Sequence, residues 1–422
     1  MAVYAAVREL GSLLKHECLW MPVAVLRAST IKTIRGKWSH CLKVLLRSML
    51  LDEGNVRDGL LVPDIGVVFM KLANILGDAD ALRQCWSAKG AAGIFPTIET
   101  LNVCNIGPKS LVPHDTTGTF VTIAEVDIAR FQFCSNDDIW YKSDVLEGMA
   151  TSAHFTKAAV EEKATSVGLN VNPHGLLQDI ELRPLVRPMD CNTHDSTHIF
   201  FSDGLCNTEV DLLLPKLAAH GITFAVLRAY VSADFRRPRM YTQNGVNLAK
   251  VFSESRHANW KSSGGLSTFA SEMVGLIMPL CHLLELECAI ALPLEVDSFK
   301  KLTAVVRIIG RAKLGHDVAD DLQVALQAHG EAHIFAYGED AVKPKFHFAR
   351  LLSRQLRRDG VHLDTFTPER KHAHSKYAAE PIDNTRRTPL DNNWCRQGHR
   401  DGSVSGRPQR VFFKYSKNTP QT

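Results

Sequence analysis

The feature that most constrains this fold is a long helical block in the second half of the chain. From about residue 208 to 358 the apolar residues recur at helical spacing with few strand signals between them. We expect helices over 210–219, 268–284, 298–314 and 318–329. The segments before this block mix helix and strand signals, so the pattern predicts an α-helical domain inserted between parts of a mixed α/β core.

Shorter patterns predict the elements around this block. A short apolar run at 22–26 and the β-branched segment 118–127 are typical of strands, whereas 38–51 is amphipathic at helical spacing. Residues 65–88 are interpreted as a second helix pair.

The composition bounds the class of protein. The chain has 422 residues, of which 45% are hydrophobic and 22% charged, so it can bury a sizeable core. A net charge of +4 permits nucleic-acid binding without arguing for it. The most apolar stretch, 273–294, contains His282, Glu285 and Glu287 and predicts a buried core helix rather than a bilayer span, so we expect a soluble, intracellular protein.

One candidate site is the sequence Asp195-Ser196-Thr197-His198, which precedes a short apolar run. At the end of a strand, Asp195 and His198 would both reach a common pocket. A carboxylate beside a histidine suits a divalent metal and phosphodiester chemistry. A turn aspartate and a strand-end histidine without function is the competing interpretation.

A second candidate is the start of a helix near residue 368. Thr367 is a good N-cap, Pro368 suits the first turn and Glu369 complements the helix dipole. Arg370 and Lys371 follow and would contact phosphates, although a solvated basic helix has the same pattern.

Basic residues interleaved with aromatic ones form a third candidate. Lys343 and Lys345 stand beside Phe346 and Phe348, so this segment either lines a nucleic-acid path or forms an ordinary amphipathic helix.

A pair of histidines provides the last candidate. His329 and His333 have the i, i+4 spacing that chelates zinc on a helix. Glu331 is misplaced for the HExxH arrangement and Gly330 weakens the helix, which argues against a metal at this position. The sequence contains neither a P-loop nor a GxSxG motif, so those enzyme classes are not indicated.

Several of these segments occur in an order typical of one family. The chain resembles transposases of the CACTA and Kyakuja–Dileera–Zisupton type from about residue 3 to 381. The segments that carry the resemblance are 27–36, 76–81, 86–93, 101–103, 172–177, 195–198 with 203–207, 270–273, 343–347 and 369–372.

The resemblance implies an RNase H-like mixed sheet, with three acidic residues holding two Mg²⁺ ions and a helical insertion before the third acid. Asp195 and His198 match the family's DxxH motif at the second acid, Asp179 is the alternative second acid, and Glu369 is the third. DNA is then the partner, and the location is nuclear if the protein functions. No membrane or small-molecule substrate is expected.

The chain departs from this family after residue 381, inside the DxxH motif, where Ser196 and Thr197 replace bulky residues, and at two sets of metal ligands. The first acid should lie upstream of the opening helix, and no suitable aspartate stands before residue 50, so we expect that ligand to be missing. Thr97 and Thr100 occupy the positions of a CxxC pair, and threonine cannot replace a thiolate zinc ligand. These departures predict a degenerate transposase that has lost DNA strand cleavage and transfer.

These predictions divide the chain into four segments. Residues 1–207 form the first part of the RNase H-like core with a degenerate zinc-knuckle region, and 208–358 form the helical insertion. Residues 359–382 provide a C-terminal core helix, and 383–422 a disordered basic tail.

Two alternatives remain open. One is a non-catalytic DNA-binding or structural remnant of the same fold, and the other is an unrelated helical interaction protein that lacks a central mixed sheet. The nuclease hypothesis requires the carboxylates of Asp195 and Glu369 to lie within about 10 Å of each other, because they must share metal ions.

Overall fold

Strands are few and short, and helices make up most of the elements. The computed structural model describes residues 2–62, 64, 66–90, 93–232 and 247–369. The strands are β1 Ala2–Ala5, β2 Met21–Val25, β3 Leu60–Val62, β4 Gly66–Val68, β5 Ile75–Gly77, β6 Val103–Cys104, β7 Val121–Thr122 and β8 Asn192–His194. The α-helices before residue 205 are α1 Ala28–Thr33, α2 Lys37–Leu50, α3 Ala79–Cys85, α4 Asn136–Thr151, α5 Lys157–Val167, α6 Pro188–Cys191 and α7 Ser196–Phe200. Those after it are α8 Leu205–Ala219, α9 Phe224–Ser232, α10 Glu254–Ser263, α11 Ala270–Glu287, α12 Pro293–Lys313, α13 Ala319–Tyr337 and α14 Pro344–Asp359.

The strands pair only two at a time in the described part of the chain. β1 with β2 and β3 with β4 are antiparallel, whereas β5 with β8 and β6 with β7 are parallel. The α/β class is therefore confirmed. A continuous mixed sheet, as the family resemblance implies, is not formed by these residues.

Local sequence explains where several helices begin. α2 starts after Gly36, whose φ of 79° lies in the left-handed region, and a Cβ there would approach the Cβ of His174 to 2.8 Å. α4 begins with a capping box in which the Ser135 and Asp138 side chains each accept a hydrogen bond from the other's backbone N–H. The helix expected at 38–51 and the strand expected at 22–26 are both present within one residue.

The region interpreted as a second helix pair, 65–88, was predicted wrongly. It contains β4, β5 and only one helix, α3. β5 pairs in parallel with β8, with Ile75 opposite Asn192 and Gly77 opposite His194. Three residues are too few to show the alternation that distinguishes a strand from a helical segment.

Side chains of α14 cover the other edge of β8. The Gln355 side chain accepts a hydrogen bond from His194 N at 2.8 Å and donates one to His194 O at 3.2 Å. Arg358 donates to Asn192 O at 3.0 Å and to Thr193 Oγ1 at 3.0 Å. A helix thus satisfies backbone groups that a third strand would otherwise pair.

The described residues between α8 and α14 are mostly helical, as the periodicity predicts, and they contain the larger hydrophobic core. Leu213 of α8, Leu276 of α11 and Phe299 of α12 are fully buried there. A second core between α2, α3 and α4 is formed around Trp86 and Ile139. Whether the helical block is a separate domain stays a prediction.

The apolar stretch 273–294 is divided between α11 and the start of α12. Within the described ranges no single helix is long and apolar enough to cross a membrane. The segments 196–219 and 224–232 are long and apolar enough only when they are taken together, and the chain bends by 110° between them.

Candidate functional site

Two aspartates follow the two strands of the parallel β5–β8 pair. Asp78 comes directly after β5, and its Oδ1 accepts a hydrogen bond from Ala81 N at 2.6 Å at the start of α3. Asp195 comes directly after β8 and caps α7 by accepting from Thr197 N at 3.0 Å and His198 N at 3.2 Å. Because parallel strands end at the same edge, both carboxylates lie on one side of this small sheet.

Asp195 is almost fully buried and is held by a dense set of donors. Its Oδ2 lies 2.5 Å from His198 Nδ1 and accepts from Thr365 Oγ1 at 2.5 Å, while its Oδ1 accepts from Thr365 N at 2.9 Å. Together with the two backbone donors of α7, these contacts use both carboxylate oxygens. The buried charge is therefore compensated by hydrogen bonds.

Glu369 joins this cluster from the end of the described chain. Its Oε1 lies 3.2 Å from His198 Nε2 and 3.2 Å from Thr365 Oγ1. Ligand atoms of Asp195, His198 and Glu369 all lie within 4.8 Å of one another, so the structure brings the three predicted residues together. Glu369 is the most exposed of them, with 43% of its side chain accessible.

Contacts with α7 and α12 hold the segment that delivers Glu369. Ser196 Oγ lies 2.9 Å from His362 Nε2, and Lys313 Nζ forms an ion pair with Asp364 at 2.7 Å. Glu369 N donates to Thr365 O at 2.9 Å, which makes Thr365 the residue that precedes the new helical turn. The sequence had indicated Thr367 for this position.

Charge coupling within the cluster shifts three pKa values. Burial alone would raise the pKa of Asp195, but its hydrogen bonds with His198 and Thr365 outweigh burial and lower it. Burial would lower the pKa of His198, but Asp195, Glu369 and Asp78 outweigh burial and raise it. Burial raises the pKa of Glu369, and the charges of Asp195 and Asp78 add to this rise while His198 opposes it.

Lys345, predicted to bind nucleic acid, lies at the margin of this cluster. Its Nζ donates to Ser202 O at 2.7 Å and Asp203 O at 2.9 Å. Burial lowers its pKa, and the charges of Asp203, Asp78 and Asp195 oppose that shift. Lys343 is exposed at the start of α14.

Other predicted residues lie elsewhere or outside the described ranges. Asp179, the alternative second acid, accepts two hydrogen bonds from Arg47, at 2.9 and 2.8 Å. An arginine ion pair therefore occupies its carboxylate, and it is not part of the Asp195 cluster. Arg370, Lys371 and residues 383–422 lie outside the described residues.

Both threonines that stand in place of the CxxC pair make hydrogen bonds within the protein. Thr100 is buried and its Oγ1 lies 3.3 Å from His347 Nε2, whereas Thr97 Oγ1 accepts from Glu99 N. Glu99 in turn forms an ion pair with His194.

Sequence reasoning missed Asp78 and Thr365 as members of the site. Asp78 stands in one of the segments that carry the family resemblance, but β5 before it was interpreted as helix, so nothing placed it beside Asp195. The signal was the order apolar residues, glycine, aspartate, which is typical of a strand end followed by a capped helix. Thr365 had no local signal, because its role depends on a partner distant in sequence.

Comparison with known proteins adds no relative, since no family model, curated protein or solved structure matches this chain. The functional argument therefore depends on the geometry of the Asp195 cluster.

Proposed function

We propose that this chain is a transposon-derived protein of RNase H-like descent that binds DNA through the surface around the Asp195 cluster. The observation that carries the proposal is the meeting of Asp195, His198 and Glu369. Asp78 and Asp195 follow neighbouring parallel strands, and Glu369 reaches the same place after the long helical block. A helical block between the second acid and the third is what the family resemblance implies.

Asp78 takes the place of the acid that we expected to be missing. Its charge acts on His198 and Glu369, which supports its proximity to both. The first acid of the proposed site is then supplied within the chain rather than upstream of residue 50.

The donor set suits Mg²⁺, which prefers carboxylate oxygens. Asp195 and Glu369 would hold the ion, and a bound ion would neutralise charge that develops at a phosphodiester during cleavage. His198 bridges Asp195 and Glu369 and holds a proton between them. Thr365 fixes the backbone from which Glu369 projects.

The test of catalysis is nicking of a supercoiled plasmid in the presence of Mg²⁺ or Mn²⁺. Wild-type chain is compared with Glu369→Gln, a substitution at an exposed side chain that should leave the fold intact, and with Glu339→Gln as an exposed control. A retained nuclease shows metal-dependent nicking that Glu369→Gln abolishes and Glu339→Gln preserves. Nicking that is equal in all three proteins would reject Glu369 as a catalytic residue.

The second candidate is a non-catalytic DNA-binding remnant, and the state of Asp195 favours it. Both oxygens of Asp195 already accept hydrogen bonds from Thr365 and from α7, so a metal would have to displace His198 or the Thr365 hydroxyl. DNA binding without nicking distinguishes this candidate. Fluorescence anisotropy at several salt concentrations should show affinity falling as salt rises, with a slope reduced by about one in Lys343→Ala if that residue contacts a phosphate.

The third candidate, a helical interaction protein, is favoured by the absence of a continuous sheet among the described residues. A chain that binds DNA at neither low nor moderate salt, with or without Mg²⁺, would support this candidate and contradict the first two.

A further inference from the structure

A second cluster of polar side chains lies inside the helical block. Glu209 projects from α8, while His329 and His333 project from successive turns of α13. Their exposed fractions are 0%, 1% and 0%. Such complete burial of a carboxylate is costly unless a cation or several donors compensate it.

The three side chains converge on one oxygen atom. Glu209 Oε2 lies 2.6 Å from His333 Nδ1 and 3.4 Å from His329 Nε2, and one ligand atom of each residue lies within 4.8 Å of the others. The remaining oxygen, Oε1, accepts from Ser298 Oγ of α12 at 2.5 Å. The hydroxyl thus orients the carboxylate, as partners of metal ligands commonly do.

These separations are close to those of a metal centre. Ligands about 2.0–2.2 Å from a tetrahedral zinc ion lie about 3.3–3.5 Å from each other. The Glu209–His329 separation already has this value, and the Glu209–His333 contact must widen by somewhat less than about 1 Å.

The pKa shifts of Glu209 and His329 are compatible with metal binding. Burial opposes the charge on Glu209, but its hydrogen bonds with His329 and His333 outweigh burial and lower its pKa to about 2. Burial lowers the pKa of His329, and the charges of His333 and Arg350 lower it further. The hydrogen bond with Glu209 and the charge of Glu209 oppose this shift. An ionised carboxylate and a neutral imidazole are the forms that bind zinc.

Two polar atoms beside the cluster have no hydrogen-bond partner among the described residues. They are His333 Nε2 and Tyr337 Oη, and both are buried. Tyr337 lies one turn after His333 on α13, with the two ring centroids 5.0 Å apart. Buried polar atoms without partners are uncommon and point to a ligand or an ordered water.

We propose that Glu209, His329 and His333 form a site for a divalent transition metal, with zinc as the ion that this donor set fits best. Two histidines and one carboxylate are an established zinc ligand set that leaves a fourth position for water. The ion would join α8 to α13 inside the helical block and would compensate the buried Glu209 charge.

The experiment measures metal content of the full chain. Wild-type protein is refolded with one equivalent of Zn²⁺, desalted and analysed by mass spectrometry of the metal. We expect about one zinc per chain, and a loss of about tenfold or more in Glu209→Gln and in the double substitution His329→Asn with His333→Asn. Glu331→Gln, an exposed substitution between the two histidines, should retain the zinc and serves as the matched control.

A second measurement, made on the wild-type chain, tests the proposal even if the variants fail to fold. Wild-type chain refolded with Co²⁺ should develop visible absorption bands of a cobalt ion with nitrogen and oxygen ligands, which addition of Zn²⁺ removes. Glu369→Gln should retain both the bands and the zinc, which separates this site from the Asp195 cluster.

Two results would overturn the proposal. One is a folded wild-type chain that retains no zinc and develops no cobalt bands, which would mean that the three side chains only hydrogen-bond to one another. The other is zinc retention in the folded double histidine variant, which would place the ion elsewhere.

Discussion

Replacement of Asp195 by asparagine tests the centre of the candidate site through stability alone. The side chain keeps its size, but an amide has one acceptor oxygen where the carboxylate has two. Asp195 accepts hydrogen bonds from two backbone groups of α7, from the His198 ring, and from both N and Oγ1 of Thr365. Whichever way the asparagine amide is oriented, its nitrogen, which is itself a hydrogen-bond donor, therefore faces groups that donate hydrogen bonds.

The expected loss can be calculated from these contacts. The His198 ring can change its tautomer and the Thr365 hydroxyl can rotate, so each can accept from the new amide. The backbone N–H groups cannot adapt, and at least one loses its partner along with the charge. Hydrogen bonds to a charged group contribute about 1.5–3 kcal/mol each, so we expect Asp195→Asn to lower the free energy of unfolding by about 3 kcal/mol.

Urea unfolding at pH 7, followed by circular dichroism, measures this change. Asp317→Asn, at an exposed aspartate, should change the free energy of unfolding by no more than about 0.5 kcal/mol. A loss below about 1 kcal/mol in Asp195→Asn would show that the buried carboxylate is not compensated as described.

Three further predictions concern stability. Gln355→Ala should cost about 2 kcal/mol in urea unfolding, because His194 N and His194 O lose their partner; an unchanged midpoint would contradict this. Phe299→Ala should cost about 3–5 kcal/mol by the same assay, because it empties a fully buried site in the helical block; a smaller loss would mean that the core collapses around it. The folded-state pKa of His198 is raised, so its stabilising charge is fully present below about pH 6.5 and is lost as pH rises through the raised value. The difference in unfolding free energy between wild type and His198→Asn should therefore be larger at pH 6 than at pH 9, and a difference that grows with pH would refute the sign.

The sequence predicted those elements whose signals are local. The periodic apolar residues of α2 and of the helices around Phe299 were sufficient, since each helix is long enough to repeat its pattern. β5 was missed because three residues contain no repeat, and the error hid Asp78.

Partners distant in sequence account for the rest of what could not be predicted. Glu209 has no motif of its own, and only the packing of α8 on α13 places it beside His329 and His333. Gly330 was interpreted as a weakness of the helix. In the structure a Cβ there would approach Arg350 Nη2 to 2.8 Å, so the missing side chain leaves room for a buried guanidinium.

The contacts of α14 have a mechanical consequence. This one helix is attached to β8 through Gln355 and Arg358, and the chain that leaves it carries Thr365 to Asp195 only a few residues later. The distance between the helix end and the acid cluster is thus set by the length of that connection. Insertion of a single residue between Gly360 and Asp364 would shift Glu369 away from His198 while leaving every helix intact, so the spacing of this short segment determines whether the site exists at all.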